Sequence, residues 1–192
     1  MRVISGTAKG RKLKAVPGDA TRPVTDRVKE AVFDIIGANV REARFLDLFA
    51  GTGGVGIEAL SRGARQAVFV EKERLALDTI RFNLEHTRLS ARARVVRADV
   101  FAFLRGKPEA FEYIYVAPPQ YKDLWLAVLH ALDAQPVWLA ADGEIIVQID
   151  PREHQDAALE HFEPIDRRRY GSTLVVFYGH KASGQDEQGP RE

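Results

Sequence analysis

Apolar residues along the chain alternate between short strand-like runs and longer stretches with helical spacing. Runs of β-branched and aromatic residues bounded by turn residues predict strands, namely Phe45–Phe49, Ala67–Glu71, Arg94–Ala98, Phe111–Val116, Glu144–Ile149 and Thr173–Tyr178. Helices are also predicted. Pro23 and the region of Asp26 open the first, whose apolar positions continue to Ile36, and the others are predicted at Val55–Arg62, Glu73–His86, Val100–Leu104, Tyr121–Leu132 and Glu153–Leu159. This alternation predicts an α/β domain with a mostly parallel sheet, helices on both faces, and an antiparallel pair formed by the last two strands at one edge.

The first 22 residues form an arm punctuated by glycine and proline, in which short strands are predicted at Arg2–Ser5 and Lys12–Val16. Residues 1–30 carry eight basic and three acidic side chains, a local net charge of +5 in a chain whose net charge is +1. Because this segment has little core-forming sequence, its charges favour phosphate binding over a merely solvated surface. The candidate RNA-binding residues are Arg2, Lys9, Arg11, Lys12, Lys14, Arg22 and Arg27. Three consecutive arginines at 167–169 form a second basic run.

Length and composition narrow the classes of protein. The 192 residues predict one main domain at 23–181, after the arm at 1–22 and before a polar tail at 182–192 that we expect to be disordered. The absence of cysteine excludes disulfides and thiolate chemistry, and no metal site is expected. Apolar runs fall far short of the roughly 18 residues that cross a membrane, and no secretory signal is visible. We therefore expect a cytoplasmic monomer.

A glycine-rich loop, Asp47–Gly56, follows the first predicted sheet strand and opens the next helix. Its glycines fit the pattern G-x-G-x-x-G, and Glu71 ends the next strand, so a nicotinamide dinucleotide is one candidate ligand. A carboxylate at Asp47 would repel a pyrophosphate, however, and suits the ammonium group of a cofactor that carries an amino acid. The loop therefore favours S-adenosylmethionine, with Glu71 on the ribose hydroxyls. The candidate contacts in the loop are Asp47, Ala50, Gly51 and Gly53.

Asp99 follows the third predicted strand, at the end of the sheet where Rossmann-like folds bind ligands. Its carboxylate can accept a hydrogen bond from an adenine amino group while the Val100 N–H donates to a ring nitrogen. It can equally cap the following helix, and the sequence leaves both interpretations open. The candidate cofactor-binding set is completed by Thr25, Asp26 and Lys72.

Two prolines follow the fourth predicted strand, within Val116–Tyr121. Proline fixes its own φ and restricts the preceding residue, so this pair gives a rigid loop at the cofactor edge of the sheet. Together with the glycine loop about sixty-five residues earlier, it indicates methyl transfer to an amine. The candidate catalytic residues are Ala117, Pro118, Pro119, Gln120 and Tyr121.

These motifs resemble those of the RsmD-like family, the bacterial guanine-N2 methyltransferases that modify guanine 966 of 16S rRNA. The resemblance extends to about residue 180 and rests on Arg2–Gly6 with Gly10–Leu13, Arg22–Glu30, and Asp47–Gly56 with Glu58–Gly63. It implies a class I S-adenosylmethionine-dependent methyltransferase, Rossmann-like, with a seven-stranded, mostly parallel sheet. It also implies a small N-terminal extension that helps to bind 16S rRNA, within the small subunit or its precursor, and closes over the cofactor.

The sequence departs from the family pattern at the loop that follows the fourth strand. The family has Asp or Asn, two prolines, then Phe or Tyr, whereas this chain has Ala117, Pro118, Pro119 and Gln120, with Tyr121 one place late. The missing side chain would accept a hydrogen bond from the target amine, help of a kind worth roughly 10²–10⁴-fold. Three alternatives stay open, namely backbone acceptors alone, substitution by Asp26, or a slow form. An active enzyme is favoured because the cofactor motif is intact, and Gln120 or Tyr121 would contact the flipped base.

Other functions share part of this pattern. A DNA or RNA adenine-N6 methyltransferase would use the same kind of site, although the resemblance of the arm favours rRNA. A catalytically impaired RNA-binding protein with a methyltransferase fold is allowed by Ala117. Asp47 and the double proline disfavour a nicotinamide-dependent oxidoreductase.

Overall fold

A seven-stranded sheet with helices on both faces organises the computed structural model, which describes residues 1–18, 25–119 and 123–182. The strands are β1 (Arg44–Leu48), β2 (Gln66–Glu71), β3 (Ala93–Arg97), β4 (Phe111–Val116), β5 (Leu139–Ile149), β6 (Phe162–Tyr170) and β7 (Thr173–His180). The helices are α1 (Asp26–Ile36), α2 (Gly54–Ser61), α3 (Arg74–Thr87), α4 (Val100–Leu104) and α5 (Leu124–Asp133). Across the described ranges, every helix is too short or too polar to cross a membrane.

The strand order is β3-β2-β1-β4-β5-β7-β6. Strands β1 to β5 are parallel to one another, and β7 pairs antiparallel with both β5 and β6. The order reverses between β1 and β4, whose connections leave in opposite directions. Open sheets of this kind bind ligands in the crevice outside the carboxyl ends of the strands at such a reversal. The loops after β1 and β4 meet there.

Both faces of the sheet are buried, as parallel strands require. On β1, Phe45 belongs to the core layer beneath α1, α2 and α3, whereas Leu46 and Leu48 belong to the layer that contains α4 and α5. The polar residue Asp47 therefore shares the face of Phe45. Its side chain lies beneath α2 at the end of the strand, where the glycine loop begins.

The N-terminal arm is bound to the domain through the side chains of α2 and α3 rather than through strand pairing. The buried carboxylate of Glu58 accepts the N–H groups of Ile4 (2.8 Å) and Ser5 (3.0 Å). The hydroxyl of Ser61 accepts the N–H of Ala8 (2.9 Å) and donates to the carbonyl of Ser5 (2.6 Å). The two predicted arm segments pair with each other rather than with the sheet. The Val3 N–H donates to the Arg11 carbonyl (3.0 Å), the Gly10 N–H to the Val3 carbonyl (2.8 Å) and the Leu13 N–H to the Met1 carbonyl (3.1 Å). Regular antiparallel pairing in the described part of the arm is limited to the bridge between Arg2 and Lys12, so the predicted strands are reduced to a short, irregular hairpin.

A second attachment joins the arm to the glycine loop. The buried Asn83 of α3 accepts the N–H of Lys14 (2.8 Å) and donates to the carbonyl oxygens of Lys14 (3.0 Å) and Thr52 (2.9 Å). The arm and the loop are thus held by the same amide side chain.

The segment after β5 differs from its prediction. Residues 153–159 were expected to form a helix, but only a short 3₁₀ turn forms at Pro151–Glu153. The carboxylate of Asp133 then accepts three successive N–H groups, from Glu160 (2.6 Å), His161 (2.8 Å) and Phe162 (3.2 Å). Burial raises the pKa of Asp133, yet these donors hold it below its usual range. They fix the chain in an extended conformation that leads into β6.

The edge strand β6 has no counterpart among the strands predicted from periodicity. Its residues are mostly charged and exposed, with Phe162 as the buried exception, so no apolar alternation marks it. Pro164 is tolerated because an outer strand leaves one row of backbone groups unpaired. The antiparallel pairing of β7 with β5 is confirmed, but β6 occupies the edge. The boundary near residue 22 lies outside the described residues, as does all but the first residue of the proposed tail at 182–192.

Two glycines of the arm allow a matched test of its docking. Gly6 and Gly10 both have φ of +82°, but a Cβ at Gly6 would lie 1.8 Å from the carbonyl oxygen of Ser61, whereas a Cβ at Gly10 meets nothing within 4 Å. We expect Gly10→Ala to lower the free energy of unfolding by about 1 kcal/mol, the strain of the left-handed backbone. We expect Gly6→Ala to lower it by about 3 kcal/mol or more, because the backbone must also move.

Urea denaturation measures both changes, and limited proteolysis shows whether residues 1–18 have detached. Equal losses for the two variants would contradict the docking described above.

Candidate active site

The glycine loop lies at the carboxyl end of β1. Three of its residues have a positive φ, and glycine adopts this conformation without strain at two of them. Phe49, Gly51 and Gly53 have φ of 63°, 55° and 75°, and Gly53 caps α2. The Gly53 N–H donates to the carbonyl of Ala50 (2.7 Å), which closes a tight turn. A Cβ at Gly51 would meet only the Phe49 carbonyl, at 3.9 Å, so the space above this residue is open. The loop can therefore receive a ligand close to its backbone.

Gly56 serves packing rather than ligand contact. A Cβ at this position would lie 2.4 Å from the Phe69 ring of β2, so glycine lets α2 pack directly on the sheet. The third glycine of the motif thus brings the start of the helix to the edge of the sheet.

Asp47 lies beneath the loop. Its side chain is 2% exposed, and Oδ2 accepts the Gly56 N–H at 3.0 Å. Burial raises the pKa of Asp47 to about 8 against the lowering effect of that N–H, and the charge of Glu71 adds to the rise. The structure therefore places Asp47 where it holds the loop to α2, and direct contact with a cofactor ammonium stays a prediction.

Glu71 ends β2 and ties the glycine loop to the start of α3. One carboxylate oxygen accepts the Gly51 N–H at 3.0 Å. The other accepts the N–H groups of Lys72 (2.8 Å) and Glu73 (3.0 Å). Glu71 is half-buried, whereas the side chain of Lys72 is exposed. The predicted ribose-binding carboxylate and the glycine loop are therefore in direct contact.

Asp99 caps α4, one of the two interpretations that the sequence leaves open. Its Oδ1 accepts the N–H groups of Phe101 (3.0 Å) and Ala102 (3.2 Å). Asp99 itself is exposed and Val100 is buried. The cap uses Oδ1, and contact of the other oxygen with adenine stays a prediction.

Thr25 and Asp26 also have structural partners. Thr25 caps α1 by accepting the Val28 N–H at 3.3 Å. Asp26 accepts the backbone N–H of Arg2 at 3.2 Å and pairs with its guanidinium at 3.5 Å. These two candidates therefore connect the arm to α1, and their contact with a cofactor is untested.

The double-proline loop leaves β4 directly beside the glycine loop. Leu48, the last residue of β1, pairs with Val116, the last residue of β4. Ala117 and Pro118 are half-buried and Pro119 is exposed. The candidates Gln120 and Tyr121 lie outside the described residues.

A buried polar row beneath this loop was missed in the sequence. Tyr115 lies beside Asp47 in the register of β1 and β4, and its hydroxyl donates to the amide oxygen of Gln148 on β5. Burial and the nearby Asp47 raise the pKa of Tyr115 above its usual range. A glutamine within the apolar run of β5 was the available signal. The row gives the floor of the site polar groups at the junction of β1, β4 and β5.

The basic residues of the arm remain at the surface around the attached segment. Lys9, Lys12, Lys14 and Arg27 are exposed, Arg11 is half-buried, and Arg22 lies outside the described residues. Arg11 donates to the carbonyl of His86, and the Lys14 ammonium lies 5.1 Å from the centre of the Phe82 ring. Lys29, which is counted in the net charge of residues 1–30, is instead buried and pairs with Glu58 at 3.3 Å. It does not contribute to an exposed basic surface.

Comparison with known proteins identifies the family of this chain. The profile of the family described as "Conserved hypothetical protein 95" matches residues 1–179. "Putative rRNA methyltransferase YlbH" of Bacillus subtilis is 40% identical over 181 residues, covering 93% of this chain and 98% of that protein. "Ribosomal RNA small subunit methyltransferase D" of Escherichia coli is 30% identical over 187 residues, covering 97% and 93%.

Solved structures agree with this assignment. "Putative methyltransferase yhhF" from Escherichia coli has a TM-score of 0.84 and 31% identity over 95% of this chain and 99% of that one. An RNA methyltransferase from Salinibacter ruber, solved with S-adenosyl-L-homocysteine, shares the fold with a TM-score of 0.66 at 13% identity, covering 88% of this chain and all of that one. The match to the family profile and these relatives show that the chain belongs to the "Conserved hypothetical protein 95" family, the RsmD-like methyltransferases that use S-adenosylmethionine.

Proposed function

We propose that this protein transfers a methyl group from S-adenosylmethionine to the exocyclic N2 amine of a guanine in 16S rRNA. The observation that carries the proposal is the adjacency of the glycine loop and the double-proline loop, since Leu48 and Val116 are paired at the ends of neighbouring strands. A cofactor loop and an amine-binding loop are thereby brought together. The relatives named for ribosomal RNA methylation support an rRNA substrate.

The residues at the carboxyl edge fit the proposed cofactor. The space above Gly51 is open, and carboxylates end β2 at Glu71 and follow β3 at Asp99. Each carboxylate oxygen can accept more than one hydrogen bond, so Glu71 can bind ribose hydroxyls while it keeps its backbone partners. When bound, S-adenosylmethionine supplies a methyl group on a positively charged sulfur, which a neutral amine can attack.

The remaining work of the site is to position the target amine. The lone pair of guanine N2 is delocalised into the ring, and acceptors for its N–H groups draw it towards a geometry that can attack. Ala117 offers no side-chain acceptor, so the carbonyl of Pro118 accepts the hydrogen bond from the amine. Proximity of the amine to the methyl group supplies much of the rate. The amine releases one proton to water. The base must leave its stack to reach the loop, and contact with Gln120 or Tyr121 remains a prediction.

Asp26 is the side chain suggested by the sequence as a substitute acceptor. Its carboxylate is shared with the N–H and the guanidinium of Arg2. A role in catalysis would therefore require that Asp26 accept a hydrogen bond from the target amine in addition to, or in place of, its bonds with Arg2. The proposal consequently assigns the acceptor to the backbone.

The reaction itself can be assayed directly. Incubation with tritiated S-adenosylmethionine and small ribosomal subunits that lack the modification should label 16S rRNA, and nuclease digestion with mass spectrometry should identify N2-methylguanosine. Free 16S rRNA and duplex DNA are the parallel substrates. N6-methyladenine as the product would establish the adenine alternative, and cofactor binding without any turnover would establish an impaired RNA-binding protein.

The buried carboxyl of Asp47 should make the stability of the protein depend on pH. Because its pKa is raised to about 8 in the folded protein, the stability due to the neutral form is complete below its unfolded pKa of about 3.9 and is lost as the pH rises through 8. Asp47→Asn does not titrate and keeps an acceptor for Gly56. Relative to wild type, it should gain on the order of 1 kcal/mol per pH unit between pH 5 and 8.

Denaturation at several pH values measures this difference, with the exposed Asp142→Asn as the control. Calorimetry should at the same time show that Asp47→Asn binds S-adenosylmethionine more weakly. A flat difference in stability would show that Asp47 titrates normally, and unchanged affinity would remove it from the cofactor site.

The missing side-chain acceptor at position 117 can be restored by substitution. Ala117→Asn restores an amide at the position where the family has Asp or Asn, so it should raise the rate of methyl transfer by about tenfold or more. Single-turnover kinetics on rRNA measures the rate, and Ala110→Asn, at the exposed residue before β4, is the control. An unchanged rate for Ala117→Asn, together with a large loss for Asp26→Asn, would show that Asp26 supplies the acceptor.

A further inference from the structure

The arginine run of β6 lies at the level of the candidate catalytic loop. Pairing across the sheet puts Val116 of β4 beside Val147, Val147 beside Val176, and Val176 beside Arg167. Arg167 is therefore in the same row as the residue that precedes Ala117. Because β6 runs in the same direction as β4, Arg168 and Arg169 lie one and two steps further towards the carboxyl edge.

This placement sets the distance between the arginines and the loop. Three strand spacings separate β4 from β6, about 14 Å in all. An arginine side chain shortens that gap from one side and a nucleotide in the site shortens it from the other. A nucleic-acid strand that delivers a base to Pro118 would therefore pass near the edge strand within a few nucleotides of the target.

The three guanidinium groups occupy both sides of the edge. Arg167 and Arg169 pair in register with Val176 and Leu174, and Arg168 pairs with Val175, whose side chain lies in the opposite core layer. All three arginines are exposed. A polymer that crosses the edge can thus meet charges from either face.

Their charge is only partly neutralised. Arg168 pairs with Asp166 at 2.9 Å, and Arg169 donates to the carbonyl of Gly171 at 3.1 Å. Within 1–18, 25–119 and 123–182, no carboxylate lies at ion-pair distance from Arg167 or Arg169. The neighbouring groove of about 620 Å³ is lined by Asp156 and Asp166 as well as by Arg167. These negative charges disfavour phosphates inside the groove and leave the outer edge as the basic surface.

We infer that Arg167, Arg168 and Arg169 bind the phosphate backbone of the rRNA segment that flanks the target guanine. This inference rests on the proposed rRNA substrate. The guanidinium fork matches phosphate oxygens in a bidentate geometry, and the edge contributes contacts separate from those of the N-terminal arm. Charged residues on an outer strand also prevent pairing with a second copy, which is the structural role that a test must separate from RNA binding.

The test compares two triple variants with the same loss of charge. R167Q/R168Q/R169Q removes the run, and R41Q/R65Q/R105Q removes three exposed arginines near the amino ends of the strands, far from the candidate loop. Affinity for 16S rRNA is measured by filter binding over a range of salt concentrations. The β6 variant should lower the slope of log K against log salt by about 2 and weaken binding about tenfold near physiological salt. The control variant should keep the wild-type slope and affinity.

Two further variants and a second measurement make the result decisive. R167K/R168K/R169K keeps the charge and should keep most of the salt slope. R167Q/R169Q leaves the Arg168–Asp166 pair intact and should show about two-thirds of the change in salt slope. This double variant replaces the triple variant in the test if the triple variant does not fold. Wild-type affinity and slope in the glutamine variants would overturn the inference, as would dimer formation in gel filtration with unchanged RNA affinity. Absence of salt-dependent rRNA binding in the wild type would instead contradict the proposed function.

Discussion

The buried carboxylate of Glu58 is the interaction on which the rest of the structure depends. It lies on α2 with no exposed surface and accepts hydrogen bonds from two arm N–H groups, from Arg62 at 2.8 Å, and from the buried Lys29 of α1 at 3.3 Å. Burial lowers the pKa of Lys29 against the raising effect of Glu58. A buried charge is tolerated only when its partners are complete. This carboxylate therefore fixes the arm, α1 and α2 relative to one another.

That cluster also determines the cofactor loop, because α2 begins where the loop ends. Gly56 brings the helix onto Phe69, and the Gly56 N–H holds Asp47 beneath the loop. Met1 packs against the first turn of α2, where a Cβ at Gly54 would lie 2.6 Å from its sulfur. The basic arm is therefore part of the wall behind the site, whereas its composition alone indicates only a phosphate-binding segment.

The sequence predicts those parts of the structure in which local pattern and tertiary packing agree. The parallel strands β1 to β4 and the helices α2 and α3 follow from apolar runs that are buried in the fold. The strand β6 and the extended segment before it do not, because they depend on Asp133 and on an edge position. The same holds at the site. Glu71 and the glycine loop were predicted together, whereas the roles of Asn83 and Glu58 depend on partners in the arm that are more than fifty residues away.

Asn83 has a thermodynamic consequence. Its amide holds the backbone of Lys14 in the arm and the carbonyl of Thr52 in the glycine loop. Whatever orders one of these segments therefore reduces the conformational entropy that remains to be lost when the other is ordered. Coupling of this kind is reciprocal. If a polymer bound to the arm raises the affinity of the loop for its ligand by a given factor, that ligand raises the affinity of the arm for the polymer by the same factor.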